Sequence, residues 1–320
     1  MKLIVSNLEA LSSYLSREFY YIMSDLVSIH GWRHVETGEL LARGGNLADK
    51  LYLEFGELPE IILFWESYEL IERHAADIYL LNCRKFVFAD DLHWFDDHGR
   101  LKKSLAFALA DGVLATYGYC WDHFYPQFRG TKRVVWIPHA ASPDFIVPYN
   151  PQAENFVMLS GATTSHYPLR QQLKGLHERG SYAIVYQQHP GYYTGYDYQN
   201  DENVGTGFAR KLNSYRAAFT DNGVYRYVVA KYFEIPATGA LLLADDAVSE
   251  PLSQLGFIKY QHYVPVSKEN LEEQIQFVLD PKNHDELDQI RKAGQDLVWQ
   301  RHRTSDRARQ IDEACSLNST

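Results

Sequence analysis

The sequence predicts an α/β chain of two doubly wound domains facing each other across a cleft, and three observations predict it. Short runs that are apolar at successive positions alternate with helical patterns. The segment "IPHAASPDFIVPYNPQAEN", with four prolines and little periodicity, interrupts that alternation. The alternation then restarts, as it would in a second parallel sheet covered by helices. At 320 residues the chain is too long for one ordinary core and about right for two. The expected domains are residues 1–148 and 149–320, with the last helix packing back on the first domain.

In chain order, "KLIVS" reads as the first strand. One helix face follows in Leu8, Leu11, Leu15, Phe19, Ile22 and Leu26, spaced by three and four. "EIILFW", "KFVFAD", "GVLATY" and "RVVWIP" read as strands buried on both faces, with "DHGRLKKSLAFALAD" as a connecting helix. Beyond the prolines come "NFVMLSG", a helix through "YPLRQQLKGLHERG", then "YAIVYQQHP", "AAFTD" and "GALLLAD". Ser267 is placed to cap a helix carrying Leu271, Ile275 and Val278, and a last helical stretch starts near Asp285.

Composition narrows the function. A formal net charge of -10 disfavours a protein living on nucleic acid or an anionic membrane, and leaves room for a small phosphorylated ligand. The 23 tyrosines and 6 tryptophans supply core mass or flat surfaces for sugar and nucleotide rings. Cys83, Cys120 and Cys315 form neither a disulfide framework nor a thiolate metal site, which fits a reducing cytoplasm. The N-terminus lacks a signal-peptide pattern, and no apolar run reaches the ~20 residues that span a bilayer.

The stretch "RYVVAKYFEIPATGALLLADD", Arg226–Asp246, concentrates candidate chemistry. If "GALLLAD" is a strand, "KYFEIPATG" leads into it, with Pro236 in the first turn of a short helix and Gly239 at its left-handed end. A carboxylate such as Glu234 can accept from two vicinal hydroxyls of a ribose, and a lysine or arginine nearby can neutralise a diphosphate. The competing reading makes Glu234 an ordinary cap paired with Lys231 or Arg226.

The stretch also carries a resemblance. "KYFEIPATGALLLADD", the following "LSQLGFIKYQHYVPVSKENLEEQIQFVLD" and the terminal "HRTSDRARQ" resemble the C-terminal half of group-1 glycosyltransferases, in particular the spore-maturation-protein-like branch. "WIPHAASPDFI" resembles the signature closing the first domain of these enzymes, and "SGATTSHYPLR" the first strand and loop of their donor domain. The resemblance covers about the last 190 residues, and the first 130 only in architecture. It implies the GT-B fold, two Rossmann-like domains with a nucleoside-diphosphate-sugar bound mainly by the second.

That likeness further implies that Glu234 holds the donor ribose, that Lys231 or Arg226 faces the diphosphate, and that the Gly161 loop approaches the phosphates or sugar. Thr238 and Gly239 fall in the same donor-binding segment. Arg226 stands where many group-1 enzymes carry a first carboxylate that contacts the sugar. The expected reaction is transfer of a sugar to a hydroxyl of a saccharide or glycoconjugate, with retention, without metal or cofactor. A non-catalytic sugar-nucleotide-binding module and a sugar-nucleotide epimerase are the alternatives.

Other candidates come from the residues themselves. His189 in "YQQHPGY" follows a strand and could donate to a phosphate or a sugar hydroxyl. In "FADDLHWF", Asp91 or His93 could take the acceptor proton, which inverting enzymes of this architecture require, or form part of a solvated turn. His30 and Arg33 could reach an anionic acceptor, and His139 could border the cleft.

Overall fold

The computed structural model describes residues 1–317, which divide into two compact units. Unit 1 comprises Met1–Ser12, Phe19–Pro138 and the chain from Ser305 on; unit 2 comprises Ser13–Glu18 and His139–Thr304. Among the described residues no helix is long and apolar enough to cross a membrane.

Unit 1 is built on a six-stranded sheet. Its strands are β1 (Lys2–Ser6), β2 (Arg33–Glu36), β3 (Ile61–Trp65), β4 (Arg84–Ala89), β5 (Gly112–Ala115) and β6 (Arg133–Trp136). They lie in the order β2-β1-β3-β4-β5-β6, all parallel. The central apolar runs are buried as parallel pairing between helices requires, with all five residues of β3 inside, whereas β6, expected to be buried on both faces, is an edge strand and only half-buried. Trp65 stacks on Phe88 with centroids 3.7 Å apart, and Ala308, Ile311 and Cys315 of the last helix complete this core. The chain passes from β1 to β2 on one side and then to β3 on the other, so the switch point lies between β1 and β3.

Unit 2 carries β7 (Glu154–Ser160), β8 (Ile184–Gln187), β9 (Tyr215–Thr220), β10 (Leu241–Asp245) and β11 (Val264–Val266). Their order is β11-β10-β9-β7-β8, again parallel, with the switch point between β7 and β9. The core is a band of Leu, Val and Ile from these strands and from the helices Pro168–Glu178 and Leu271–Leu279.

Three local expectations are corrected. The pattern from Leu8 to Leu26 makes two helices, Leu8–Ser12 and Glu18–Ser28, rather than one. Serines cause the break: Ser12 Oγ donates to the Glu9 carbonyl at 2.7 Å, and Ser16 Oγ accepts from the Glu18 N–H at 3.4 Å. Pro236 is the sixth residue of the helix Lys231–Ala237, not in its first turn. Its missing N–H helps end that helix, and Gly239 follows at φ 76°. The N-cap of Leu271–Leu279 is Asn270 rather than Ser267, and its side chain makes no cap bond. The turn before it is closed by Ser267, whose Oγ accepts from the Glu269 N–H at 3.2 Å and whose N–H donates to Asn270 Oδ1 at 2.7 Å. Two strands were invisible to the pattern: β2 is polar and half exposed, and β11 is a three-residue edge strand holding a proline.

Candidate functional site

Ligands in doubly wound sheets bind beyond the carboxyl ends of the strands, at the switch point. In unit 2 that place is formed by the turns after β7 and β9 and by the helix Lys231–Ala237. Gly161 follows β7 at φ 103°, where a side chain would be strained, and a Cβ there would lie 2.9 Å from Arg170 Nη1 and 3.5 Å from Lys231 Cε. Two cations therefore converge on a glycine, an arrangement that admits an anion close to the backbone.

Arg170 is held from behind. Its Nε lies 2.9 Å from Asp221 Oδ1, its Nη2 donates to Thr220 Oγ1 at 3.1 Å, and its guanidinium lies 4.0 Å from the Tyr167 ring centroid. Burial pushes Asp221 up to about 6 although Arg170 pulls it down. Burial also lowers the Lys231 ammonium, Glu234 raises it, and Arg170 lowers it further. Because Lys231 is only partly buried, water moderates that shift.

Glu234, one turn into the same helix, is 6% exposed. Burial raises its carboxyl and Lys231 lowers it; Glu18 and Asp144 raise it and His139 lowers it. Each of these residues belongs to unit 2.

His189 sits just past β8. Its Nδ1 accepts from the Gly191 N–H at 3.0 Å, so the neutral ring carries its proton on Nε2. Burial, then Lys231, then Arg170 bring it down to about 4. At neutral pH it is an uncharged N–H donor beside two cations. It also rims a cavity of about 610 Å³ lined by Met158, Gln187, Asn203, Lys211 and Tyr215.

The remaining candidates of unit 2 do not join the convergence on Gly161. Arg226, at φ 57°, is exposed; burial raises the carboxyl of Asp245, and Arg226 is the weakest of the groups that oppose it. Thr238 Oγ1 donates to the Ile235 carbonyl at 2.7 Å, and the Gly239 carbonyl accepts from Arg291 Nε at 2.9 Å. Both close the helix against its neighbours. His139 is buried, with Nδ1 2.8 Å from Glu18 Oε2.

In unit 1, Asp91 and His93 follow the carboxyl end of β4, with Asp91 Oδ1 3.7 Å from His93 Nδ1. Lys103 binds both their carbonyls, at 2.9 Å for His93. Beside them at the end of β3 stands Glu66, which the sequence reading passed over. Its backbone is left-handed at φ 49°, a conformation glutamate rarely adopts. Its Oε1 accepts from the Asp90 N–H at 3.3 Å. Loss of hydration raises its carboxyl to about 7, with Lys103 lowering it and Asp91 raising it. The side chain is exposed, so solvent screens part of this shift.

The sign of the Glu66 effect is testable. Its folded-state pKa lies above the unfolded value, so its contribution to stability is present in acid and lost as pH rises through about 7. The melting temperature of Glu66→Gln should rise relative to the wild type between about pH 5 and about pH 8. A constant gap across that range counts against the shifted carboxyl.

His30 and Arg33 lie elsewhere, which corrects the acceptor-side expectation. Arg33 is the first residue of β2 and His30 precedes it, so both occupy the amino end of a parallel sheet, opposite the ends that carry Glu66 and Asp91. His30 Nδ1 is 3.7 Å from Asp312 Oδ2, in a cluster where Asp312 also receives Trp32 Nε1 at 2.7 Å.

Three comparisons bear on this geometry. Residues 171–313, less than half of the chain, match the family model described as Glycosyl transferase-like. No curated protein matches. Among solved structures, the chain resembles sucrose-phosphate synthase from Thermosynechococcus elongatus, with 10% identity, a TM-score of 0.66 and 98% of each chain covered. It also resembles an alpha-glucosyltransferase in complex with UDP-glucose and DNA containing an abasic site (11% identity, TM-score 0.62, 98% of each chain). Anabaena HepE in complex with UDP is a third (10% identity, TM-score 0.59, 99% of this chain and 100% of that one). At such identity the likeness establishes the fold, which is GT-B, as the sequence predicts. The family match supports the group-1 glycosyltransferase superfamily and a glycosyl-transfer function.

Proposed function

We propose that this protein is a glycosyltransferase of the spore-maturation-protein-like branch. It moves a sugar from a nucleoside-diphosphate donor to a hydroxyl of a saccharide or glycoconjugate. The observation that carries the reading is the convergence of Lys231 and Arg170 on Gly161, one helical turn from the buried carboxylate of Glu234.

In this reading the two cations and the uncharged Nε2–H of His189 meet the diphosphate, and Glu234 accepts from the two ribose hydroxyls. Charge develops on the diphosphate as the bond to the sugar breaks. Lys231 and Arg170 are already in place to receive it, so little reorganisation is needed at the moment of reaction. The chain's own cations supply this charge, and we take the enzyme to work without a metal ion. Retention at the anomeric carbon follows from the resemblance of the Glu234 segment and is read from the anomeric proton of the product.

A thermal-shift panel tests the donor assignment, using UDP with UDP-glucose and UDP-N-acetylglucosamine, and GDP with GDP-mannose. A ligand at a hundred times its Kd should stabilise the fold by about 2.7 kcal/mol. Free monosaccharides should do nothing. A panel without any shift rejects the reading.

The epimerase alternative has its own support. A putative UDP-N-acetylglucosamine 2-epimerase from Listeria monocytogenes shares the fold (12% identity, TM-score 0.53, 97% of this chain and 94% of that one). Incubation with donor alone separates the readings. An epimerase changes the sugar without an acceptor, whereas a transferase leaves it intact or slowly hydrolyses it.

A further inference from the structure

The cavity of about 610 Å³ that His189 rims has the size of a small-molecule site, roughly 300–1,000 Å³. Two features join it to the cations at Gly161, all within unit 2. Gln187, which lines it, pairs across β7 and β8 with Ser160, the residue before Gly161. Lys211, which also lines it, stands one turn along the helix Gly205–Ser214 from Phe208, and Lys231 Nζ lies 5.4 Å from the Phe208 ring centroid. A ligand whose phosphates rest between Lys231 and Arg170 therefore has this cavity beside it.

Its apolar side is formed by Met158 of β7 and Val185 of β8, which are register partners. Its polar side is a hydrogen-bonded chain whose orientation is determined. Lys211 Nζ can only donate, so the Asn203 atom 3.1 Å from it is the carbonyl oxygen Oδ1. The Asn203 backbone N–H and Nδ2 both donate to Asp201 Oδ1, at 2.8 Å and 2.9 Å. The Gln187 atom 3.1 Å from Asn203 Oδ1 must then be its amide nitrogen, Nε2. This leaves Gln187 Oε1 as an acceptor for a ligand. The Lys211 ammonium has three hydrogens, one spent on Asn203, with Glu202 Oε2 3.6 Å away.

Asp201 and Glu202 stand against Lys211, so the polar side has no excess of cations and a phosphate gains nothing by entering. A flat heterocycle can lie on Met158 and Val185 and turn its edge to Gln187 and Lys211. A lactam edge sets a carbonyl next to a ring N–H. The carbonyl, with two lone pairs, meets the ammonium, and the N–H meets Gln187 Oε1. The aminated edge of adenine or cytosine offers the ammonium only the single lone pair of a ring nitrogen. We propose that this cavity receives the base of the donor, and that Lys211 and Gln187 make it selective for a lactam base, uracil or guanine. The inference rests on the donor reading given above.

The test is calorimetry with UDP, GDP, ADP and CDP. The wild type should bind UDP or GDP about tenfold or more tighter than ADP and CDP, and the UDP and GDP arms tell the two lactam bases apart. Lys211→Met keeps the length of the stem without the ammonium. It should weaken the preferred diphosphate about tenfold and change ADP and CDP by less than about twofold, so that the ranking flattens. Gln187→Leu should flatten it in the same way, should Lys211→Met fold poorly. A wild type that binds all four alike or prefers ADP or CDP, or variants that weaken all four equally or none, overturn this inference alone. So does a Lys211→Met protein that loses UDP-glucose but keeps UDP, since the cavity would then hold the sugar. If the wild type binds no nucleoside diphosphate, the donor reading itself fails.

Discussion

Lys231→Ala is expected to lower turnover about 10²- to 10³-fold while changing folding stability by less than about 1 kcal/mol. Lys231 and Arg170 approach the same glycine, and Arg170 disfavours the charge of Lys231. Glu234 outweighs that repulsion, but the lost hydration of the ammonium is larger than either, so an empty protein gains nothing from the charge. Removing one relieves that repulsion and the lost hydration of the ammonium, against the attraction of Glu234 that is given up. These terms oppose one another, so the stability change is small. An anion with developing charge has no such cancellation, because both cations attract it.

The pH dependence follows from the direction of the Lys231 shift. Its folded-state pKa lies below the usual 10.5, so the unfolded chain binds more protons in the window between the two values. Wild-type stability should climb through that window, and the Lys231→Ala variant should lack this increment. Parallel losses of turnover and stability would mark Lys231 as part of a structural ion pair. The measurements are steady-state kinetics and denaturant melts on the same two proteins.

The architecture could be read from the chain because its cause is local. Strands enclosed on both faces must be apolar at every position, and each such run proved to be a strand. β2 and β11 escaped for different reasons: β2 is a polar, half-exposed edge strand, whereas β11 is buried but only three residues long and holds a proline. Lys231, Glu234, Gly161 and His189 carried a signal in sequence, each lying next to a strand end or in the segment whose likeness to known enzymes identified it. Arg170 gave none, because on a helix with polar neighbours it looks like a surface residue; only the fold reveals Asp221 and Thr220 behind it.

Asp221 and Glu66 could have been found by a simple rule. Each is a carboxylate immediately after an apolar run, "AAFTD" and "IILFWE", and strand ends of that kind face the ligand in a doubly wound sheet. Glu18 could not have been found in this way. More than a hundred residues separate it from His139, and its position depends on two serines breaking what looked like one continuous helix. Arg226 shows the limit of reading by alignment. A position can match a motif in number while its backbone is left-handed at φ 57° and its side chain is exposed.

Glu234→Ala should weaken nucleotide binding by about 1–3 kcal/mol, or roughly 5- to 150-fold in Kd, if the carboxylate holds two ribose hydroxyls. Its effect on the empty protein should have the opposite sign. Burial raises the Glu234 carboxyl above its unfolded value of 4.5, and the nearby Glu18 and Asp144 add to that. Such a group contributes its full stability below pH 4.5 and loses it as pH rises through the folded-state value. Once ionised, Glu234 is therefore a cost to the fold, offset only in part by Lys231. Glu234→Gln, which keeps the shape without the charge, should melt no lower than the wild type at pH 7 and no higher at about pH 4. A carboxylate that strains the empty fold and tightens the loaded one is what a ligand clamp requires. If Glu234→Gln instead lost several kcal/mol at neutral pH with nucleotide affinity intact, Glu234 would be the anchor of Lys231, and the ribose would have to be held elsewhere.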